Sequence, residues 1–292
     1  MNTRYCFTIA SRAVATIVLW ATLWCTVKAE SDSLRVVDLL QRGNALESSA
    51  NLMLWYGKEF VGVPYKAQTL EINRTESLVV NLREMDCTTF VETVAALTLT
   101  TREKSASYDA FRKNLQRIRY HLGILDGYAS RNHYFQWWIE SNCEMGLVKE
   151  IVPSTGARTM TLHLHYMSRH IGSYPMLKDD PLAQRLIAAH ERESSGKKVR
   201  YLPKSEVGKD SKTLGFIESG DILVITTSKD GLDCSHIGIA VWGRDGRLHL
   251  LNASQIRKKV VVEPMTLFDY MQRHPTQTGI RIVRLLANQS LH

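Results

Sequence analysis

The chain has 292 residues, a formal net charge of +8, and an ordinary balance of 44% hydrophobic and 23% charged residues. Such a composition excludes bulk disorder. The Lys and Arg residues are scattered among acidic ones with no basic block or aromatic–basic motif, which argues against a nucleic-acid partner and reads the charge as a solvated surface.

The N-terminal stretch stands apart. Arg4 and Arg12 give a basic start, residues 13–27 form an uncharged and mostly apolar run, and Val27-Lys28-Ala29 puts small residues at both ends of a tripeptide. The run is short for a membrane span and has the layout of a secretory signal. The expectation is a signal peptide over 1–29 and a mature chain, 30–292, that is periplasmic or secreted with no integral membrane association; an uncleaved anchor is the alternative. Cys87, Cys143 and Cys234 remain after cleavage. An odd count leaves at least one thiol unpaired. Parity permits a Cys143–Cys234 bridge, but a domain of this size folds without disulfides, so three reduced thiols are expected.

Residues 33–60 read as a helix through Val36, Leu39, Leu40, Leu46 and Leu52, and Gly62-Val63-Pro64-Tyr65 breaks it. Residues 78–82 are a short apolar run expected as a strand. Residues 88–99 are the clearest helix, with Phe90, Val91, Val94, Ala95 and Leu99 on one face, and 108–120 form another. Residues 131–139 are aromatic-rich and fit no period. Residues 180–193 read as helix after Pro175 and Pro181. The period then changes: 222–226 is a strand, 237–242 and 248–253 make a hairpin around Gly243-Arg244-Asp245-Gly246, and 260–262 and 280–285 continue the sheet. Helices first and strands later predict an α+β domain with helices on one side of an antiparallel sheet. No Pro/Ser-rich linker divides 30–292, so one domain is expected.

Cys87 begins the clearest helix and follows Asp86, a good N-cap type. Free amide hydrogens and the positive helix end favour a thiolate there, which is the nucleophilic form; a buried structural cysteine is the competing account. His236 stands at the mouth of a strand. Folding the hairpin brings it opposite Asn252 or Ala253, and the even spacing of His236 and Asn252 puts both on one face. An amide oxygen there fixes the imidazole tautomer, as the third member of a triad does. Gly238 and Ala240 on that face would let the Cys87 helix approach closely. Tyr65 is a candidate for the cleft beside Cys87, as is Asp86. Arg131, with His133 and Tyr134, suits a carboxylate of the substrate. His163 and His165 lack a third ligand at metal spacing, so no metal is expected, and Glu84 and Glu92 read as capping or solvated residues.

Several blocks in order resemble one family: Val79-Val80-Asn81-Leu82-Arg83-Glu84-Met85-Asp86-Cys87-Thr88-Thr89-Phe90-Val91-Glu92, then Ser130-Arg131-Asn132-His133-Tyr134-Phe135, Tyr201-Leu202-Pro203-Lys204-Ser205, and Ser235-His236-Ile237-Gly238-Ile239-Ala240. The chain resembles the N-acetylmuramoyl-L-alanine amidase-like branch of the NlpC-type papain-like cysteine peptidases. The resemblance implies a papain-like fold, a Cys87–His236–Asn252 triad, no cofactor, and peptidoglycan or muropeptide as substrate. It implies cleavage of the N-acetylmuramoyl–L-alanine amide, with the D-glutamyl–diaminopimelate link as the alternative bond and a non-catalytic wall-binding module as the alternative class. Many relatives carry histidine third; Asn252 departs from that, and papain-type enzymes use asparagine in the same role.

Overall fold

The computed structural model describes residues 32–287. The expected signal segment, 1–29, lies outside the described residues, among which no helix is long and apolar enough to cross a membrane.

The helix expected over 33–60 is two, α1 (32–44) and α2 (Leu52–Glu59). A turn separates them, and Asn51 starts the second by accepting from the Leu54 amide at 3.0 Å. Next come α3 (Cys87–Arg102), α4 (Tyr108–Arg119) and α5 (Phe135–Glu144), then β1 (Val148–Ile151) and β2 (Arg158–Thr161). The short α6 (Tyr166–Arg169) and α7 (Pro175–Lys178) precede α8 (Pro181–Ser194) and β3 (Lys198–Pro203). The C-terminal part adds β4 (Ile222–Thr227), β5 (Cys234–Trp242), β6 (Leu248–Ser254), β7 (Lys259–Val262), α9 (Leu267–Gln272) and β8 (Gln277–Leu285). The run 78–82 is not a strand. Arginines take two of its carbonyls: Arg119 Nη1 donates to Val79 O at 2.7 Å and Arg35 Nη1 to Leu82 O at 2.8 Å.

The strands form an eight-stranded sheet in the order β2-β3-β8-β4-β5-β6-β7, with β1 also paired to β8. All these pairings are antiparallel. The fold is therefore α+β, as the order of elements predicts. The central β4 is buried on both faces, and its alternate residues divide the core. Ile222 and Val224 join the α1–α5 side with Ile237, Ile239, Leu251 and Ala253. Leu223 and Ile225 join the other side with Ala240, Leu250 and the α9 residues Leu267, Tyr270 and Met271. Helices are thus not confined to one side of the sheet. A helix as short as α9 leaves little sequence period to see.

Helix α3 is the axis of the first layer, with every residue from Thr89 to Thr101 buried. Its threonines are compatible with that position because Thr98 and Thr100 return their hydroxyls to Val94 O and Ala96 O, both at 2.8 Å. A further apolar cluster gathers Tyr134, Trp137, Leu164, Leu177 and Ile187 from α5 through α8.

Candidate active site

The first turn of α3 is held by a capping box. Asp86 Oδ1 accepts from the Thr89 amide at 2.8 Å, and Thr89 Oγ1 accepts from the Asp86 amide at 3.0 Å. That closes the turn around Cys87, the first helical residue. Cys87 is half-buried, and desolvation, helped by the Asp86 charge, pushes the thiol up to about 12 against the Ile237 amide and the Thr88 amide and hydroxyl. Desolvation here acts against the helix end, which the sequence argument for a thiolate rests on. The Ile237 amide at this sulfur also sets the strand of His236 against Cys87.

Strand β5 does not run straight through this point. Ile225 pairs with His236 but Thr226 pairs with Cys234, so Ser235 bulges out of the ladder. A bulge of this kind re-aims the neighbouring side chain. On the other side, Ala240 faces Leu250 and Ile239 faces Leu251, a register that continues to Gly238 opposite Asn252. His236 therefore meets Asn252 on the diagonal rather than directly across. Gly238 is required: a Cβ there would stand 2.8 Å from Leu251 O and 3.0 Å from Asn252 Cβ. The shared face is as expected, but Gly238 and Ala240 turn toward the α9 side, and α3 packs on Ile237 and Ile239. The expectation that small residues admit the Cys87 helix is corrected accordingly.

His236 Nε2 and Asn252 Oδ1 are 2.9 Å apart. Asn252 is fully buried, and its Nδ2 donates to Leu250 O at 3.4 Å and Val261 O at 3.5 Å. With the amide nitrogen occupied by carbonyls, Oδ1 must be the atom presented to the ring. Nε2 then carries the proton and Nδ1 holds the lone pair. Burial lowers the His236 pKa, while the Asn252 hydrogen bond and the Glu263 charge oppose the shift.

Tyr65 lies at the same place. It bridges in parallel to Met85 and donates its amide to Lys258 O at 2.9 Å. Burial together with the Cys87 and Asp86 charges raises its hydroxyl to about 12. Beyond Asp86 opens a cavity of about 190 Å³ walled by Asp86, Thr88, Glu92, Arg131, Asn132 and His133. His133 Nε2 lies 2.8 Å from Tyr128 O, and burial lowers its pKa well below the ordinary value, so the ring is neutral and Nδ1 is an acceptor. Glu92 is not a solvated residue: it is buried and accepts from Arg119 Nε at 2.7 Å.

Two expected contacts are placed differently. Tyr134 is buried away from the cavity, where its hydroxyl donates to Glu191 Oε1 at 2.6 Å and accepts from the Met167 amide at 3.0 Å. Arg131 does wall the cavity, but its guanidinium bonds Glu71 and lies 3.6 Å from Glu76 Oε2. It is already neutralised, so a substrate carboxylate would meet two carboxylates of the protein.

Sequence reading missed the aromatic neighbour of His236. Tyr270, on α9, has its ring 6.3 Å from that of His236, and burial with the Glu263 charge raises its hydroxyl to about 12. Gln277 hydrogen-bonds that hydroxyl and keeps a buried Oε1 without a partner. The Thr266 cap, accepting from Asp269 N at 3.1 Å, was the one available signal for this helix. Asp233 was also missed: it accepts from the Gln136 amide at 2.6 Å and the Cys234 amide at 2.8 Å, tying the start of α5 to the mouth of β5. Cys87, Cys143 and Cys234 are free thiols. Among the described residues no three His, Cys, Asp or Glu side chains group as metal ligands, and His165 Nε2 instead lies 3.1 Å from Asp230 Oδ1.

A family model described as N-acetylmuramoyl-L-alanine amidase-like matches residues 55–280. Among solved structures, an N-acetylmuramoyl-L-alanine amidase from Bacteroides uniformis is 39% identical, with 84% of this chain and 99% of that one covered, at a TM-score of 0.76. A Bacteroides fragilis protein provisionally named a xylanase is 42% identical over 80% of this chain and 100% of its own, at a TM-score of 0.75. A Legionella pneumophila protein, 24% identical over 89% of this chain and 96% of its own, shares the fold at a TM-score of 0.69. No curated protein matches.

Proposed function

The chain belongs to the N-acetylmuramoyl-L-alanine amidase-like family, and from that premise we propose that it is an exported cysteine hydrolase of the NlpC-type papain-like kind. Its bond is the N-acetylmuramoyl–L-alanine amide of peptidoglycan fragments. The observation that carries the reading is the 2.9 Å bond from His236 Nε2 to Asn252 Oδ1, on an asparagine whose own nitrogen is tied to backbone. It leaves Nδ1 as the base, on the residue next to Ile237, whose amide reaches the Cys87 sulfur.

The starting state is a thiol and a neutral imidazole rather than an ion pair, because burial disfavours charge on both. As the substrate carbonyl arrives, His236 Nδ1 takes the Cys87 proton and the sulfur attacks. The Asn252 oxygen steadies the imidazolium that forms. The Cys87 amide, in the first turn of α3, is a donor for the oxyanion. His236 then protonates the leaving amine, and water, activated by the same imidazole, releases the muramoyl acid. A glycosidase reading, prompted by the name of one neighbour, is disfavoured because the carboxylates at hand are occupied: Asp86 caps α3 and Glu92 is paired with Arg119.

Mass spectrometry of digested muropeptides tests the bond. Release of an intact stem beginning with L-alanine is expected. An L-alanyl-D-glutamate stub left on muramic acid would make the protein an endopeptidase, and intact muropeptides would leave it a wall-binding module.

A further inference from the structure

The loop 66–77 forms one wall of the cavity beside Cys87, through Gln68, Leu70 and Glu71. Little apolar burial holds it there. Thr69 is its buried residue, its hydroxyl has no partner, and Ile72 is 65% exposed. A segment so poor in buried apolar contacts is a candidate for local opening. Its anchors are polar. Glu71 accepts from Arg131 Nη2, and from the Tyr128 hydroxyl at 3.3 Å. Glu76 accepts from the Tyr120 hydroxyl at 2.6 Å and lies 3.6 Å from Arg131 Nη2. The Arg131 guanidinium is 6% exposed and rests 4.8 Å from the Tyr128 ring centroid. One buried cation thus ties the middle of the loop, at Glu71, and its C-terminal end, at Glu76, to the scaffold, across sixty residues of sequence at Glu71.

We propose that Arg131 is a positioning residue, a clasp that holds loop 66–77 in place as the wall of the substrate cavity, and not a receptor for a substrate carboxylate. The residue is next to Asn132 and His133, which wall the same cavity, so the clasp sets the distance between the loop and that wall. The clasp is under-satisfied: Glu71 Oε2, Glu76 Oε2 and Arg131 Nε are buried without a hydrogen-bond partner. Such a network is sensitive to the loss of any member. Burial already pushes the Glu76 pKa up.

The kinetic half of the test rests on the hydrolase reading; the other half does not. Hydrogen exchange on the full chain reads the loop directly. Arg131→Met and Glu71→Gln should each speed amide exchange over 67–77 at least tenfold while α3 and β4 stay protected. Both should raise KM at least tenfold with kcat within threefold. A carboxylate receptor predicts the opposite pattern: Arg131→Met would raise KM only for stems with free carboxylates, and Glu71→Gln, by freeing the guanidinium, would lower it. Unchanged loop exchange in both variants overturns the clasp whatever bond the enzyme cuts. Glu71→Gln keeps the buried arginine and is informative even where Arg131→Met fails to fold.

Discussion

His236 and Asn252 sit on adjacent strands one diagonal step apart, 2.9 Å between Nε2 and Oδ1, with the intervening space kept open by Gly238. The two residues have unequal duties in the proposed chemistry. His236 moves the proton twice, and general acid–base work is worth about 10²–10⁴. Asn252 contributes one buried hydrogen bond, about 1–3 kcal/mol, or roughly 5- to 150-fold in rate. His236→Ala should therefore cost at least tenfold more in kcat than Asn252→Ala, with both proteins folded by circular dichroism. Equal losses would reject this division.

Cys87→Ala should fold and lose activity by about 10³-fold or more. The raised thiol adds a second expectation. With its pKa raised to about 12, alkylation by iodoacetamide should keep quickening with pH past 9. A plateau near pH 7 would show a resting thiolate and refute the upward shift. The sign for stability follows: the folded state keeps the proton above the unfolded value of about 8.5, so stability falls as pH rises from there toward 12.

On the acid side the direction reverses. His236 must be neutral to act as base, and its folded pKa is lowered. The acid limb of kcat/KM should lie below about 6.5, the ordinary histidine value; a limb above 7 would refute the shift. Because the unfolded chain binds the extra proton first, stability is lost as pH drops below about 6.5. His133 moves the same way, so His133→Gln should flatten that loss in thermal melts.

Tyr134→Phe separates packing from recognition. Its hydroxyl joins Glu191 and the Met167 amide, so its removal should cost about 1–3 kcal/mol of stability. Activity per folded molecule should not change. A raised KM at full stability would restore Tyr134 to the substrate site.

A thiol mechanism needs no metal, so EDTA should leave the rate unchanged while alkylation of Cys87 stops it. Inactivation by chelator that zinc reverses would count decisively against the mechanism.

The sequence by itself determined the helix of Cys87, the central strands, the α+β class and the common face of His236 and Asn252. These are local matters: an apolar period of 3.6 or 2, a capping aspartate, and an even spacing across a short hairpin. Tertiary structure decided what depends on distant partners. The run 78–82 is not a strand, and Arg119 and Arg35 take the carbonyls of Val79 and Leu82. Tyr134 and Arg131 look like neighbours with one task, yet one faces Glu191 and the other Glu71. The helix start favours a charged thiol, and the packing around it pushes the pKa the other way. Burial is a property of the assembled layers, so no spacing along the chain could reveal which of these charges would lose its water.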